Sequence, residues 1–384
     1  MAYVLNEEVK KYLQDNTEET LTLIEELCKI PAPSGKEERR AEYVKKYMES
    51  FGAKGVYIDD ALNVVYPLDC DGKDDIVMFI AHTDTVFPDT TYPMPFKRDE
   101  TTLYSPGVGD DTACLAIMLT VAKYITENGL KSPHGIIFAA NSCEEGLGNL
   151  KGVKQLMKDY ADRVKEFYTF DGKYDTVVNK CVGSSRFEIT FTTEGGHSFG
   201  DFGNRNAIYA MSQFISDLYS CKAPKAKGKK TTYNVGVVNG GTSVNTIAQT
   251  SSMLYEYRSD DAKYMLKMNK FFDSCIKRAK EADNAEIEVK LLGERPCSGK
   301  VDKSKLSSMT KRVKAICEKY SGIPCKIGSA STDCNIPMSI GIPSVCVGVY
   351  MGTGVHTREE TAEIASIPIG LKIAAELILG YFNC

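Results

Sequence analysis

The sequence predicts an α/β protein that combines a mostly parallel sheet with an inserted α+β domain. Up to about residue 182, short apolar segments alternate with amphipathic ones, which is typical of parallel strands connected by helices. From there to Pro296 the order becomes strand–helix–strand–strand–helix–strand, which favours a split βαβ sandwich on an antiparallel sheet. The first pattern then resumes. We therefore expect residues 1–182 and 296–384 to form one discontinuous domain, with residues 183–295 inserted.

The composition restricts the class of protein. Of 384 residues, 43% are hydrophobic and 26% are charged, as in soluble globular proteins. A formal net charge of −4 gives no basic footprint for nucleic acid. No apolar run reaches the roughly 18 residues of a membrane span, and the acidic N-terminal segment does not predict a signal peptide. The 13 cysteines, an odd number without a CxxC pair, indicate reduced thiols in a cytoplasmic protein.

The first part of the chain supplies helices and strands in the expected order. A helix is predicted from Glu7 to about Lys29. Ser34 is interpreted as the N-cap of a second helix, with Glu37 at capping-box spacing. A mostly apolar helix is expected to begin near Asp111. The predicted strands are Gly55–Ile58, Asn63–Tyr66, Ile76–Ala81, Gly135–Ser142 and Glu166–Phe170.

The inserted domain and the C-terminal part are predicted from the same signals. The segment RFEITFTTEGG opens the insert with the alternation of a half-exposed strand. The predicted helices are Asn206–Ser220, Ala262–Ala282, Lys303–Tyr320 and about Pro368–Leu379, and the later strands are Tyr233–Val238, Ser252–Arg258, Ile287–Leu292 and Pro343–Tyr350.

Acidic and imidazole side chains directly follow several predicted strands. His82 and Asp84 lie two residues apart at a strand end, so they point to the same side. Such a pair is a metal ligand with its orienting partner, half of an acid–base pair, or an ordinary hydrogen-bonded pair. Parallel sheets bind ligands at the carboxyl ends of strands. Further candidates there are Glu144, Glu145, Asp171, Asp110 or its neighbour Asp111, and His356 in a glycine-punctuated loop.

Seven short motifs connect these candidates with a known family. They are AHTDTV, GVGDDTACLA, NSCEEGLGN, TFDG, GGHSFGDFGNRNAI, GGTSVNTIA with YEYRSDD, and GTGVHT. On these segments, which span nearly the whole chain, the sequence resembles the M20 family of zinc-dependent metallopeptidases and deacylases, relatives of peptidase T, carboxypeptidase G2 and acetylornithine deacetylase. The resemblance implies a phosphorylase/hydrolase-like catalytic domain with an inserted ferredoxin-like lid and dimerisation domain.

The resemblance also implies a role for each candidate at a site with two divalent metal ions. The implied ligands are His82 and Asp171 for one ion, Glu145 and His356 for the other, and Asp110 as the bridge. Asp84 would orient His82, and Glu144 would act as the general base. Imidazole and carboxylate ligands without a thiolate suit Zn²⁺, with Co²⁺ or Mn²⁺ as alternatives.

Three residues of the inserted domain are implied to bind the substrate. His197, in a glycine-flanked turn, would stabilise the oxyanion in the active site of the other subunit of a homodimer. Asn245 and Arg258 would contact the substrate, Arg258 as a planar fork for a carboxylate. A surface histidine and a surface salt bridge are the structural alternatives. Thr112 and Ala113 depart from the lysine and glycine common in the family, but neither position is a ligand.

Together these features predict a cytoplasmic, homodimeric two-metal hydrolase that cleaves a peptide bond in small peptides as an exopeptidase. A water bridging the metals would attack the carbonyl, and Glu144 would move its proton to the leaving amine. An N-acyl amino acid deacylase is the alternative, because both reactions need the same site. A non-catalytic module is disfavoured, because none of the seven site residues is missing. Neither nucleic acid nor a membrane is expected as a partner.

Overall fold

The computed structural model describes residues 3–382, which divide into two compact units. One unit takes in the described residues up to Lys180 and from Gly299 onward, and the other is Cys181–Ser298.

The α-helices are α1 (Glu7–Asp15), α2 (Thr17–Lys29), α3 (Glu38–Ser50), α4 (Cys114–Glu127), α5 (Lys151–Tyr160), α6 (Ala207–Tyr219), α7 (Ala262–Glu281), α8 (Lys303–Ser321), α9 (Asn335–Ser339) and α10 (Ile367–Leu379). The strands are β1 (Tyr57–Ile58), β2 (Val64–Leu68), β3 (Ile76–His82), β4 (Lys97–Arg98), β5 (Thr102–Tyr104), β6 (Gly135–Asn141), β7 (Val164–Phe170), β8 (Thr176–Cys181), β9 (Gly183–Thr192), β10 (Gly196–His197), β11 (Thr231–Gly240), β12 (Thr246–Ile247), β13 (Thr250–Ser259), β14 (Glu286–Arg295), β15 (Lys326–Ala330), β16 (Ser344–Val347), β17 (Gly352–Thr353) and β18 (Thr361–Glu363).

The first unit is built on an eight-stranded sheet of order β1-β2-β6-β3-β7-β16-β8-β15. Its centre, β6-β3-β7-β16, is parallel, whereas β2 and β8 join this centre antiparallel. Every residue of β3 and β6 is buried, which explains why these strands are continuous apolar runs rather than alternating ones. The mostly parallel sheet confirms the predicted fold class.

A small antiparallel sheet of order β17-β18-β5-β4 also belongs to the first unit. It aligns Ala362 with Leu103, and both side chains are fully buried. The sequence does not predict this sheet, because strands of two or three residues are too short to show a period. Its consequence is that the segment after His356 is hydrogen-bonded to the segment before Val108.

The second unit contains a four-stranded antiparallel sheet of order β11-β13-β9-β14. Along the chain the elements follow as β9-α6-β11-β13-α7-β14, which is the predicted strand–helix–strand–strand–helix–strand order. The aromatic rings of Phe191, Phe214 and Phe272 lie in its buried core. The strands β10 and β12 pair beside this sheet and align His197 with Thr246.

The residues from Glu7 to Lys29 are helical as predicted, but they form two helices, α1 and α2, that meet at Asn16. At this residue the backbone leaves the helical conformation, with φ −97° and ψ 7°. Its side-chain amide donates to the carbonyl oxygen of Tyr12 at 2.8 Å. Asparagine favours such local side-chain bonds over helix continuation, so the break follows from its chemistry.

The predicted capping box at Ser34 and Glu37 is wrong. Helix α3 begins at Glu38, and neither polar side chain caps it. The Ser34 hydroxyl instead donates to the carboxylate of Asp84 at 2.6 Å, and the Glu37 carboxylate accepts the Cys143 N–H at 3.0 Å. The capping-box spacing is present in the sequence, but long-range partners use both side chains.

The helix expected near Asp111 begins later, at Cys114, after a turn with π-helical hydrogen bonding over Val108–Ala113. The predicted strand Pro343–Tyr350 is shorter than expected, because β16 ends before Gly348. A Cβ at Gly348 would lie 2.0 Å from the Lys173 carbonyl carbon, so the backbones at Gly348 and Lys173 lie too close together for a side chain at residue 348.

Within residues 3–382, no helix is long and apolar enough to cross a membrane.

Candidate metal centre

The carboxyl ends of the parallel strands gather the predicted metal ligands. His82 is the last residue of β3, and the neighbouring strands β6 and β7 end beside it. Glu144 and Glu145 follow β6, and Asp171 directly follows β7. His356 lies in the loop between β17 and β18. Because parallel strands end at the same edge of a sheet, side chains that are distant in sequence converge here.

Asp110 lies between the two histidines. Its Oδ1 is 3.0 Å from Nε2 of His82, and its Oδ2 is 3.1 Å from Nε2 of His356. The same nitrogen of His356 is 3.0 Å from Oε1 of Glu145. The Asp110 carboxylate therefore directs one oxygen toward each imidazole, which is the geometry of a bridging ligand.

Three groups of side chains in the described chain could each hold a metal ion, and two of these groups share Asp110. In each group the donor atoms lie within 4.8 Å of one another. The groups found in the described chain are His82–Asp110–Asp171, Asp110–Glu145–His356 and His82–Glu144–Glu145. Their donors are imidazole nitrogens and carboxylate oxygens, which suit divalent ions of the first transition row, including zinc. The residues present thus fit a dinuclear metal centre.

Asp84 holds both His82 and the segment that carries the two glutamates. Nδ1 of His82 donates to the backbone carbonyl of Asp84 at 3.0 Å, and the carboxylate Oδ1 is 3.4 Å from the same nitrogen. The carboxylate accepts the N–H groups of Glu144 and Glu145, both at 2.9 Å, and the Ser34 hydroxyl. Burial tends to raise the pKa of Asp84, but these contacts, that with His82 first, lower it below its usual value.

The ring orientation of His82 follows from its hydrogen bonds. A backbone carbonyl can only accept, so Nδ1 carries the hydrogen and Nε2 faces Asp110. Burial alone would lower the pKa of His82, but the carboxylates of Asp111, Asp110 and Asp84 raise it well above its usual value. The negative charge around this imidazole favours a cation beside it.

Asp171 and His356, two further candidate ligands, show the same electrostatic bias. Burial, followed by the charge of Asp110, raises the pKa of Asp171 to about 7. Hydrogen bonds with Asp110 and Glu145 raise the pKa of His356 to about 10. A carboxyl that resists ionisation and an imidazole that retains its proton both indicate an excess of carboxylates over positive charge. Divalent cations would compensate that excess.

Asp111 has a different environment from Asp110, although the two are joined by a cis peptide bond. Its Oδ2 accepts the backbone N–H of His82 at 2.9 Å. Burial raises the pKa of Asp111 well above its usual value. Of the two neighbours, Asp110 belongs to the potential metal-binding groups of residues 3–382 and Asp111 does not.

The predicted substrate-binding residues His197, Asn245 and Arg258 belong to the second unit. The first two are adjacent, because the Ser198 N–H donates to the Asn245 carbonyl at 3.0 Å. Nδ1 of His197 faces the backbone N–H groups of Phe199 and Gly200, each at 3.2 Å. Since an N–H can only donate, Nδ1 is the acceptor, and in the neutral ring Nε2 carries the hydrogen.

Arg258 lies apart from those two residues within the same unit. It sits near the end of β13, eight residues after Thr250, which opens the strand next to the His197 loop. At about 3.3 Å per residue this separation is roughly 26 Å. Its guanidinium forms a fork with Glu256 of its own strand, with Nε–Oε1 and Nη2–Oε2 distances of 2.9 Å each. The salt-bridge alternative is thus realised in this structure.

Three polar residues support the site without a role in the sequence-based site assignment: Ser34, which is half-buried, and Glu37 and Glu360, which are buried. Ser34 and Glu37 hold the Asp84 carboxylate and the Cys143 N–H, respectively. Glu360 accepts N–H groups from the loop that carries Asp110, and burial raises its pKa to about 7. The sequence signal available for Glu360 was its position four residues after His356. Charge and spacing alone do not distinguish it from its exposed neighbours.

A mostly parallel α/β unit whose strand ends assemble two carboxylate–imidazole groups around one shared aspartate has the form of a two-metal hydrolase. A sequence model of peptidase family M20/M25/M40 matches residues 78–380. The match covers well over half of the chain, and the chain therefore belongs to this family of peptidases, as the motifs predicted.

The chain is also similar to individual proteins. Over 262 residues the chain is 26% identical to a succinyl-diaminopimelate desuccinylase of Corynebacterium glutamicum, covering 66% of this chain and 69% of the relative. A tripeptidase from Staphylococcus aureus superposes with a TM-score of 0.76 at 24% identity, covering 94% of this chain and 98% of the other. A dinuclear metal-binding peptidase of family M20 from Bacillus subtilis superposes with a TM-score of 0.64 at 16% identity, covering 95% and 98%. These two structures share the fold with this protein.

Proposed function

We propose that this protein cleaves the peptide bond of small peptides as an exopeptidase and holds two divalent metal ions, Zn²⁺ first, with Co²⁺ or Mn²⁺ as alternatives. The observation that carries the proposal is Asp110, whose two oxygens face His82 and His356 at 3.0 and 3.1 Å. Asp171 would complete one group and Glu145 the other. When bound, such ions polarise a carbonyl and lower the pKa of an attacking water.

Glu144 is the proposed general base. It belongs to the group with His82 and Glu145, and its side chain is buried. Adjacent residues cannot direct both carboxylates to one metal in the same way, so one serves as ligand and the other remains for proton transfer. Glu144 would take a proton from the attacking water and return it to the leaving amine. Asp84 supports both steps by holding the Glu144 and Glu145 backbone N–H groups.

His197 is the proposed oxyanion donor. The loop N–H groups directed at Nδ1 leave Nε2–H exposed as a hydrogen-bond donor, which is what a developing negative oxygen requires. Asn245, on the adjacent loop, would contact the substrate beside it. Arg258 would bind a substrate carboxylate only by sharing or exchanging its bond with Glu256.

A homodimer formed through the second unit is part of the proposal. Arg258 lies roughly 26 Å along β13 from Thr250, which opens the strand next to the His197 loop, and this separation exceeds the length of a small peptide. If both act on the same substrate, one of them comes from a second copy. The edge strand β11 supports such an assembly, because Val237 and Val238 are 44% and 53% exposed on it.

An N-acyl amino acid deacylase with the same site is the second candidate. The desuccinylase relative favours it, since that enzyme's name describes removal of an acyl group from an amine. Both reactions break an amide bond, so the metal centre does not distinguish them. A cytoplasmic location is proposed with either activity, because 13 cysteines without CxxC spacing suit a reducing compartment.

The test uses metal-stripped protein reconstituted with Zn²⁺, Co²⁺ or Mn²⁺. Matched dipeptides, tripeptides, N-acetyl and N-succinyl amino acids are assayed with wild-type protein and with Glu144→Gln. We expect metal-dependent cleavage of the free peptides, and a loss of about 10²–10⁴-fold in kcat for the variant with its metal content intact.

The alternative outcomes are distinct. Preference for acylated amino acids would make the protein a deacylase. Cleavage of neither class by protein with two bound metals would reject both activities. Normal turnover by Glu144→Gln would remove Glu144 as the base while leaving the metal centre in place.

A further inference from the structure

The loop that carries Asp110 is held by one buried carboxylate from a distant part of the chain. Glu360 is 1% exposed. Its Oε2 accepts the Gly107 N–H at 2.9 Å, and its Oε1 accepts the N–H groups of Gly109 and Asp110 at 2.9 and 2.8 Å. Three backbone N–H groups of one irregular turn thus donate to a single side chain, which lies 250 residues from Asp110 in sequence.

The turn has backbone hydrogen bonds of its own, such as that from the Val108 N–H to the Ser105 carbonyl at 3.1 Å, but its conformation is irregular. Gly107 adopts φ +74°, and the backbone at Asp110 is not helical. A Cβ at Gly109 would lie 2.3 Å from the ring of Tyr350, so the turn is packed against that ring without a side chain of its own. Buried N–H groups require acceptors. The Glu360 carboxylate supplies them, and an aliphatic side chain would not.

The same carboxylate connects the two halves of the metal centre. Glu360 lies four residues after His356 and one residue before β18, which pairs with β5 just ahead of the turn. The contact of Glu360 with the Asp110 N–H therefore ties the His356 loop to the loop of the shared ligand. Asp110, whose N–H takes part in this connection, is also the residue whose carboxylate faces both imidazoles.

We propose that Glu360 is a positioning residue that fixes Asp110 between the two metal-binding groups. This inference rests on the proposed two-metal function. A glutamine at this position keeps one acceptor for Gly109 and Asp110, but its amide N–H₂ would face the Gly107 N–H, donor against donor. The turn would shift, and Asp110 would no longer serve both sides equally.

The experiment measures Zn²⁺ binding by wild-type protein, Glu360→Gln and the control Glu363→Gln. Glu363 is exposed and lies three residues further along. Stoichiometry is determined by elemental analysis after dialysis, and affinity by competition with a chromophoric chelator. For Glu360→Gln we expect at least one zinc to bind about 10–100-fold more weakly, as for other residues that support metal ligands. Excess zinc should restore kcat with little change in KM, which a general loss of folding would not allow.

Three results would decide against the inference or its basis. Two zinc ions bound by Glu360→Gln with wild-type affinity would overturn the positioning role. Equal weakening in Glu363→Gln would make the effect nonspecific and likewise overturn it. Failure of the wild-type protein to bind two ions would reject the two-metal function itself. If circular dichroism shows that Glu360→Gln does not fold, Glu360→Asp replaces it. Aspartate keeps the carboxylate, but its side chain is one methylene shorter, so weakened zinc binding is again expected. Wild-type zinc affinity in Glu360→Asp would refute the proposal.

Discussion

Asp110 and Asp111 are adjacent carboxylates with different partners, and this difference can be tested by the same substitution at both sites. Asp110 uses its two oxygens toward His82 and His356, whereas Asp111 accepts one backbone N–H from His82. An asparagine can keep the single bond of Asp111, but it cannot offer two anionic oxygens. We expect Asp110→Asn to lose metal and about 10²-fold or more in kcat/KM, and Asp111→Asn to stay within about tenfold of wild type.

Metal content and steady-state kinetics of the two variants provide the measurement, with the melting temperature as a check on folding. Each variant is the other's control, because the same side-chain replacement of nearly equal size is made at two neighbouring positions. Full metal occupancy in Asp110→Asn together with loss in Asp111→Asn would reverse the assignment of the shared ligand.

Among individual residues, the sequence predicted the candidate site residues that stand in a motif and missed the residues that support them. His82, Asp110 and Glu145 stand in recognisable segments at strand ends. Glu37 and Glu360 act through backbone N–H groups that are far away in sequence, and such contacts leave no spacing pattern. At Ser34 and Glu37 the local spacing even predicted a helix cap that the tertiary contacts override.

Among the elements, β11 has a feature with consequences for assembly. It is an edge of the four-stranded sheet, and its last residues are exposed from Val237 onward. Ile208 of α6 packs close to Gly240 and is itself 41% exposed, so the apolar surface continues onto the helix. Exposed edges with branched side chains pair readily with other strands. If the proposed dimer forms through β11, we expect Val238→Lys to convert it into a monomer, as measured by light scattering after size-exclusion chromatography.

The other edge of that sheet supplies the control. Leu291 of β14 is 54% exposed, so Leu291→Lys makes the same chemical change on the opposite side. It should leave the dimer intact. Wild-type protein that is monomeric at all concentrations, or dissociation caused by Leu291→Lys alone, would contradict a dimer through β11.

Elements with a long period or a long apolar run were predicted well, and short or locally interrupted ones were not. The runs of β3 and β6 are visible because both faces of each strand are buried. The sheet β17-β18-β5-β4 consists of strands of two or three residues that tertiary pairing alone defines. At Asn16, one side-chain bond to Tyr12 ends a helix whose apolar period continues on both sides.

For the whole molecule, the order of segments indicated an insertion, while the distances within the inserted unit needed a structure. His197 and Arg258 both stand in family motifs, so the sequence assigned them to one substrate. Their positions near opposite ends of β13 become apparent only from strand register. A rigid strand cannot shorten that separation. The two assignments are compatible only if different copies of the chain contribute to one site.

Mixing two inactive variants tests this shared site directly. Glu144→Gln lacks the proposed base, and His197→Ala lacks the proposed oxyanion donor, so each homodimer should be nearly inactive. If His197 acts in the partner's site, a heterodimer contains one site with both Glu144 and His197. Random exchange of equal amounts makes half of the dimers heterodimers with one complete site each, so we expect about a quarter of wild-type activity. Dissociation and reassociation before the assay, followed by activity measurements over a range of mixing ratios, would show a maximum at equal amounts. Activity that never exceeds the sum of the separate variants, in samples shown by mass spectrometry to contain heterodimers, would assign His197 to the site of its own chain.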